Sequence, residues 1–347
     1  MLRLRDIAEQ AGVSIMTVSK SLRDAPDISA ATKARIRKLA ADMGYVPNSG
    51  AQGLRNRTTR LLGLIIPAAT NPVFARISMA IEEQAHARGY DVLFAHSLNQ
   101  PEREETCIRR MLARRVDGLF ISPVYRMEQS SPIFDELWRR RVPTILLGHR
   151  APFCPHFPSV ETEDILGSYM VTRHLRQLGH RRIAFFSGPP ASPSSQERLE
   201  GYRRALREDG LEVEDSLLFQ AGTTIEEGEK AAAQMVGEPN GATAVQAVND
   251  LVAIGAGTYF LRQGLRIPED VSLAGHGNIL VSEHFRVPLT TIRQPKHRLG
   301  TAAMEAMLQL LAGETPAVRR LVGELVARES TGPRPERSAF QAANPSA

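Results

Sequence analysis

The stretch Val13–Leu22, VSIMTVSKSL, sets how the opening of the chain is understood. On a helix that starts after Ser14, Val18 and Leu22 share one face, while Met16, Ser19, Lys20 and then Arg23 share another. An apolar methionine therefore stands on a polar, basic face, with Ile15 between the two faces. A lone exposed methionine is ordinary on a solvated helix. Its neighbours give this one a use. RDIAEQAG before it places Ile7, Ala8 and Ala11 on one side, and SAATKARIRKLAADMG after it spaces Ile36, Leu39, Ala40 and Met43 as one stripe. Gly12 and Gly44 supply helix stops, Ser14 and Ser29 supply N-caps. Two helices joined by Gly-Val-Ser, the second carrying Thr, Ser and Lys outward, form the helix-turn-helix arrangement that lays one helix in the major groove of DNA.

In that arrangement Ile15 and Met16 face base edges, where an apolar group packs on a thymine methyl, and Lys20 can donate to guanine O6 and N7. The hydroxyls of Ser14, Thr17 and Ser19 suit phosphates, which position the helix without reading sequence. Charge agrees with this placement. Residues 1–60 hold eleven Lys or Arg against five Asp or Glu, a net of +6, whereas the whole chain is +5. A basic module on a near-neutral body implies an anionic partner for the first sixty residues. Nucleic acid leads, an anionic membrane surface comes second, and a merely solvated face is the plain alternative.

The 347 residues, 42% hydrophobic and 23% charged, are ordinary globular material, sufficient for two or three domains. MLRLRDIAEQ is charged throughout and no long apolar run follows, so neither a signal peptide nor a membrane span is expected, and the expected location is cytoplasmic. Cys107 and Cys154 read as free thiols rather than a disulfide framework. Cys154 and His156 are too few ligands for a metal site, and no cofactor is expected.

From Leu61 onward, apolar runs such as LLGLII, DGLFIS and RRIAFFS alternate with amphipathic helices that stop at Gly89, Gly179, Gly210 and Gly264. This alternation indicates parallel sheets covered by helices on both faces. The strands are too many for one sheet, so two doubly wound lobes are expected, with a ligand cleft at the carboxyl ends of their strands.

The segment DIAEQAGVSIMTVSKSLRDAPDISAATKARIRKLAADMGYVPNSGAQGL, Asp6–Leu54, closely resembles the N-terminal signature of the LacI/GalR family of bacterial transcription repressors. LGHRRIAFFSGP, NDLVAIGA, GLRIPEDVSLAG and PLTTIRQP carry the resemblance into the family's effector domain, itself similar to periplasmic sugar-binding proteins. The resemblance implies a homodimer on a near-palindromic DNA operator, with a small-molecule effector between the lobes. Ile15, Met16 and Lys20 then fall where relatives read bases. Residues 47–60 become a hinge whose Asn48, Ala51 and Leu54 meet the DNA, with Leu54 wedged into the minor groove. Gly50 and Gly53 weaken that hinge as a helix. The implied division is 1–46 for DNA binding, 47–60 for the hinge, and 61–332 for the effector domain. Its first lobe takes about 61–161 and 294–321, its second about 163–291 and 322–332, and 333–347 is a disordered tail. That Pro-rich end has no leucine repeat to pair two dimers, so a dimer rather than a tetramer is expected.

Carried onto the effector domain, the resemblance puts Phe74, Ser192, Ser194, Arg198, Asn249, His276 and Asn278 around the ligand. Two departures stand out. Relatives usually have Gly-[Phe/Tyr]-Asp where this chain reads Gly275-His276-Gly277-Asn278, and Asp where Thr162 stands. A cleft that keeps Arg198 but lacks an acceptor at Gly277 suits a sugar acid beside the simple sugars. Catalytic patterns are absent: there is no Walker loop and no Gly-x-Ser-x-Gly elbow, and Gly255-Ala256-Gly257 falls inside a helix. An effector-responsive regulator, with repression the expected sign, is preferred over a cytosolic binding protein of the same fold and over an enzyme on that fold.

Overall fold

The computed structural model describes residues 2–46 and 58–340, so the expected hinge contacts at Asn48, Ala51 and Leu54, and the two hinge glycines, lie outside the described residues. The chain divides into two compact units between Thr59 and Arg60. The first contains α1 (Leu4–Ala11), α2 (Ile15–Leu22) and α3 (Ala30–Asp42) around buried Ile7, Ala8, Ala11, Val18, Ile36 and Ala40. Gly12, at φ 65°, makes the left-handed turn between α1 and α2. The Ser14 and Ser29 hydroxyls accept from the N–H groups of Thr17 and Thr32, capping α2 and α3 as their spacing predicts.

The second unit holds two parallel sheets. Strands β1 (Leu61–Ile66), β2 (Asp91–His96), β3 (Gly118–Ile121), β4 (Thr144–Leu147) and β5 (Ser159–Thr162) join β11 (Arg319–Leu321) in the order β11-β5-β4-β3-β1-β2. Helices α4 (Pro72–His86), α5 (Pro101–Ala113), α6 (Pro132–Arg139) and α12 (Lys296–Leu311) cover them. The second sheet is β7-β6-β8-β9, from Leu218–Gln220, Ile183–Ser187, Ala244–Ala247 and Ser272–Ala274. It carries α7 (Asp164–Gln177), α8 (Pro193–Glu208), α9 (Ile225–Gly237), α10 (Asp250–Arg262) and the short α11 (Leu280–His284). A two-stranded antiparallel ribbon of β10 (Thr291–Arg293) and β12 (Glu324–Val326), not anticipated from the pattern, completes the lobe. The chain passes between the lobes after β5, after β10 and after β11.

Local sequence explains much of this. Helices α4, α5, α6 and α8 each open on a proline, whose missing N–H costs nothing in a first turn. The glycines of Gly255-Ala256-Gly257 serve packing, as expected. A Cβ at Gly255 would come within 2.0 Å of the Ile225 carbonyl oxygen, so its absence lets α10 lie against α9. Cys107 and Cys154 are buried free thiols.

The disordered tail expected at 333–347 is corrected over its described part. Phe340 is buried in the second lobe's core against Phe260, at 5.9 Å between ring centroids. Its carbonyl accepts from the N–H groups of Asn240 and Gly241, both at 3.1 Å. Proline content argued for disorder; one aromatic side chain and these two hydrogen bonds outweigh it.

Candidate functional site

On the first unit, α2 turns Val18 and Ser21 into the core and leaves Ile15 and Met16 49% and 55% exposed. Ile15, ambiguous by spacing, thus belongs with Met16 on the solvent face. Ser14 caps the helix, and its hydroxyl lies 2.9 Å from that of Thr17. The Lys20 ammonium is paired with Asp27, so reaching a base means exchanging one solvent-screened, exposed ion pair. Ser19 lends its carbonyl to the Arg23 guanidinium at 3.0 Å, leaving its hydroxyl available.

Within the second unit, a cavity of about 260 Å³ opens between the lobes. One wall carries Asn71, Phe74, Ser122, Tyr125, Leu147 and His149; the other carries Ser192, Ser194, Arg198, Thr223, Asn249 and His276. Six of the seven residues expected at the ligand therefore line one cavity. Ser192 is the residue before α8 and Ser194 lies in its first turn, their hydroxyls 2.9 Å apart. Asn249 caps α10 through its Oδ1, while its Nδ2 donates to the Thr223 carbonyl at 3.1 Å. Asn278 is the exception. It does not line the cavity; its Oδ1 accepts from Arg328 Nη2 at 2.7 Å, because a left-handed backbone at φ 48° sets it in the loop before α11.

Along the cavity lining runs a charge network that spacing did not reveal. Asp164, at the start of α7 and 1% exposed, receives Arg198 Nε at 2.9 Å, His149 Nε2 at 2.9 Å and the Thr162 hydroxyl at 2.9 Å. His276 Nε2 stands 3.3 Å from the same carboxylate. His149 Nδ1 in turn meets Glu161 at 3.0 Å, and Glu161 also accepts from the Ser159 hydroxyl and the Arg320 guanidinium. Arg320 continues to Glu197 at 2.9 Å. Burial opposes the charge on His149, but hydrogen bonds to Asp164 and Glu161 outweigh it and raise its pKa to about 9. Burial likewise opposes the Glu161 carboxylate, yet His149 and Ser159 hold its pKa down to about 2. Asp164 stays ionised well below the usual carboxylate range, its burial overcome by Arg198, His149 and His276. His276 is pushed toward the neutral form by burial and by the Arg198 charge.

Arg198 is thus neither an exposed helix arginine nor a free cation. Two of its nitrogens serve Asp164 and the third donates to the Val248 carbonyl at 2.6 Å. The chain has no carboxylate at Gly277, and the buried carboxylate beside Arg198 and His276 is that of Asp164. Ligand atoms of His149, Asp164 and Glu197 lie within 4.8 Å of one another, a spacing a divalent ion could use. However, the 2.9 Å between His149 and Asp164 is a hydrogen-bond length, and Arg198 and Arg320 already balance the carboxylates.

A helix-turn-helix unit with an apolar, basic reading face, followed by a two-lobed domain with a cleft, defines a DNA-binding regulator with a ligand-binding body. Comparison with known proteins agrees. Residues 3–48 match the bacterial regulatory proteins of the lacI family, and residues 172–331 match a periplasmic binding protein-like domain. The HTH-type transcriptional repressor CytR of Escherichia coli K12 is 32% identical over 332 residues, covering 94% of this chain and 96% of that protein. A Lac repressor dimer bound to operator and the anti-inducer ONPF superposes with a TM-score of 0.85 at 29% identity, covering 95% of this chain and 99% of that one. A LacI-family regulator from Enterococcus faecium with bound ribose gives 0.69 at 26% identity, over 79% and 99%. The chain belongs to the lacI family of bacterial regulatory proteins, and it is a sequence-specific DNA-binding transcription regulator.

Proposed function

We propose that this regulator is a repressor, not an enzyme, which acts on operator DNA in the cytoplasm as a homodimer and responds to a neutral, hydroxylated small molecule such as a simple sugar. The observation that carries the effector class is the state of Arg198. Its guanidinium is committed to Asp164 and to a backbone carbonyl, and His149 is held between Asp164 and Glu161. Among the described residues the cleft therefore presents no unbalanced cation to a carboxylate ligand, while Asn71, Ser122, Ser192, Ser194, Thr223 and Gln294 supply uncharged hydrogen-bonding groups. The apolar lining of Phe74 and Leu147 from the first lobe and Val248 from the second suits the face of a sugar ring. A relative with ribose bound supports the same reading.

Bound across the cleft, such a ligand touches both lobes and biases their closure about the three crossings between them, which links the cleft to the segment that joins β1 to the helix-turn-helix unit. Dimerisation is supported by exposed apolar side chains on both lobes, Met79, Phe94 and Leu98 on the first and Leu280 and Val281 on the second. For the base-reading set, Ile15, Met16 and Lys20 face the groove floor, Ser14, Thr17 and Ser19 stand near phosphates, and Asn48, Ala51 and Leu54 complete the contact from the hinge.

A thermal-shift screen of neutral sugars, their aldonic and uronic acids, and nucleosides tests the effector class. A neutral sugar should raise the melting temperature in a concentration-dependent way and its acid should not. Stabilisation by the acids alone would reverse the assignment.

A further inference from the structure

We propose that Glu104, which does not itself line the cleft, is a positioning residue for effector binding: it pins the segment after β3 and so sets where the Tyr125 ring stands in the cleft wall. Glu104 lies in the first turn of α5, where a negative charge suits the helix dipole, and it is 0% exposed. Burying a carboxylate is costly unless its oxygens are used. Both are used on one short stretch of chain. Oε1 accepts from the Val124 N–H at 2.7 Å, and Oε2 accepts from Arg126 Nη1 at 3.1 Å. Arg126 is held in turn, its Nη2 donating to the Ser131 hydroxyl at 2.8 Å and its guanidinium lying over the Phe153 ring at 4.4 Å. The residue between the two anchors is Tyr125.

Tyr125 lines the cavity together with Ser122 and Pro123, whereas Glu104, Val124 and Arg126 do not. Its hydroxyl donates to the His149 carbonyl at 2.9 Å, which ties the segment to the chain after β4. Gly148, at φ 126°, leaves room for that hydroxyl, since a Cβ there would come within 2.8 Å of it. The ring offers an apolar face beside a polar tip, the combination that a neutral hydroxylated ligand uses. The inference therefore rests on the cleft being the effector site and adds the residue that organises part of its wall. Charge gives a second observation. Burial raises the Glu104 pKa from 4.5 to about 7, against the pull of the Val124 N–H and of Arg126. The other titratable or charged groups around it, among the described residues, are Arg126, Cys107 on α5 and Cys154 ahead of β5; burial raises both thiols, Cys154 to about 11. Protonated, Glu104 still accepts from Val124 through its carbonyl oxygen. An opening that frees Val124 and Arg126 lets water reach the carboxyl and returns its pKa toward 4.5. The pinned arrangement, which has the higher pKa, is therefore most favoured below 4.5 and loses that advantage as pH rises to about 7.

The test uses the full-length protein without any ligand, so its failure counts against Glu104 alone and not against the effector assignment. In protein labelled with fluorotyrosine, the fluorine resonance that disappears in Tyr125→Phe reports the place of that ring. Hydrogen exchange of the peptide that holds Val124 reports the anchor. Glu104→Gln can still accept from Val124 but no longer pairs with Arg126, and Glu104→Ala does neither. The Tyr125 resonance should move in both variants, and Val124 should exchange faster by about tenfold or more in Glu104→Ala. Exchange in β6 and β8 of the second lobe should stay as in wild type, which separates a local release from general unfolding. Corrected for the intrinsic rate, wild-type protection of Val124 should fall as pH rises toward about 7 and then level off, and it should be flat in Glu104→Gln. A Tyr125 resonance and Val124 exchange unmoved in both variants would overturn the assignment, as would a wild-type pH trend that persists in Glu104→Gln.

Discussion

Asp164 accepts from Arg198, His149 and Thr162, so one buried carboxylate orients the residues that line the cleft beside it. Asp164→Asn keeps the shape but leaves the Arg198 guanidinium without its carboxylate, while His149 keeps Glu161; loss of one partner in a buried pair costs about 3–5 kcal/mol, which denaturant melts should show. The pH dependence follows from the same atoms. His149 has its pKa raised to about 9 from an ordinary 6.5, so its contribution is complete below 6.5 and fades as pH rises through 9. Glu161 has its pKa lowered to about 2 from 4.5, so its contribution is complete above 4.5 and fades as pH falls toward 2. Stability from this pair should therefore be greatest between pH 4.5 and 6.5. A His149→Gln variant should lose the decline between pH 6.5 and 9; a wild-type melting temperature that rises over that interval would refute the imidazolium. On the other unit, Met16→Ala should change which base is selected in each half-site, costing about 1–3 kcal/mol at the favoured base and sparing nonspecific binding.

Among the helices and strands, what was legible was what is local. Serine caps and glycine stops marked the ends of many helices, and the spacing of Val18 and Leu22 found the reading helix because its periodicity depends on its own neighbours. The three-residue strands β11 and β12 carry no such pattern, since they are strands only through pairing with residues far along the chain. Packing was the expected use of Gly255, but the neighbour it packs on was not legible until the α9 and α10 backbones were seen against each other. Gly255→Ala should force them apart and lower stability by about 1–3 kcal/mol in thermal or denaturant unfolding. For the hinge, replacing Gly50 and Gly53 by Ala should tighten operator binding by about 2 kcal/mol per subunit if that segment is helical on DNA; an unchanged affinity would make it a passive tether.

Across the whole molecule, the ligand cleft was half legible. Phe74, Ser192, Ser194, Arg198, Asn249 and His276 were named from resemblance and line one cavity, whereas His149, Glu161, Asp164, Glu197 and Arg320 were missed. The missed residues come from separate stretches of the chain, and only the folding of both lobes brings them together. Charge alone could not flag them, because acids and bases are spread along the entire body. The C-terminal arm teaches the same point in reverse: its composition reads as disorder, but Phe340 fills a place in the core that its sequence neighbours do not define.

If this molecule is an effector-responsive regulator, occupancy of the cleft must change its affinity for DNA. A fluorescence titration of selected operator with the full-length protein, at fixed salt, with and without a neutral sugar that raises the melting temperature, reads that coupling. Operator Kd should change by at least about fivefold at saturating ligand, the lower end of ordinary coupling between sites. A ligand that stabilises the protein through the cleft and leaves operator Kd unaltered would refute the coupling.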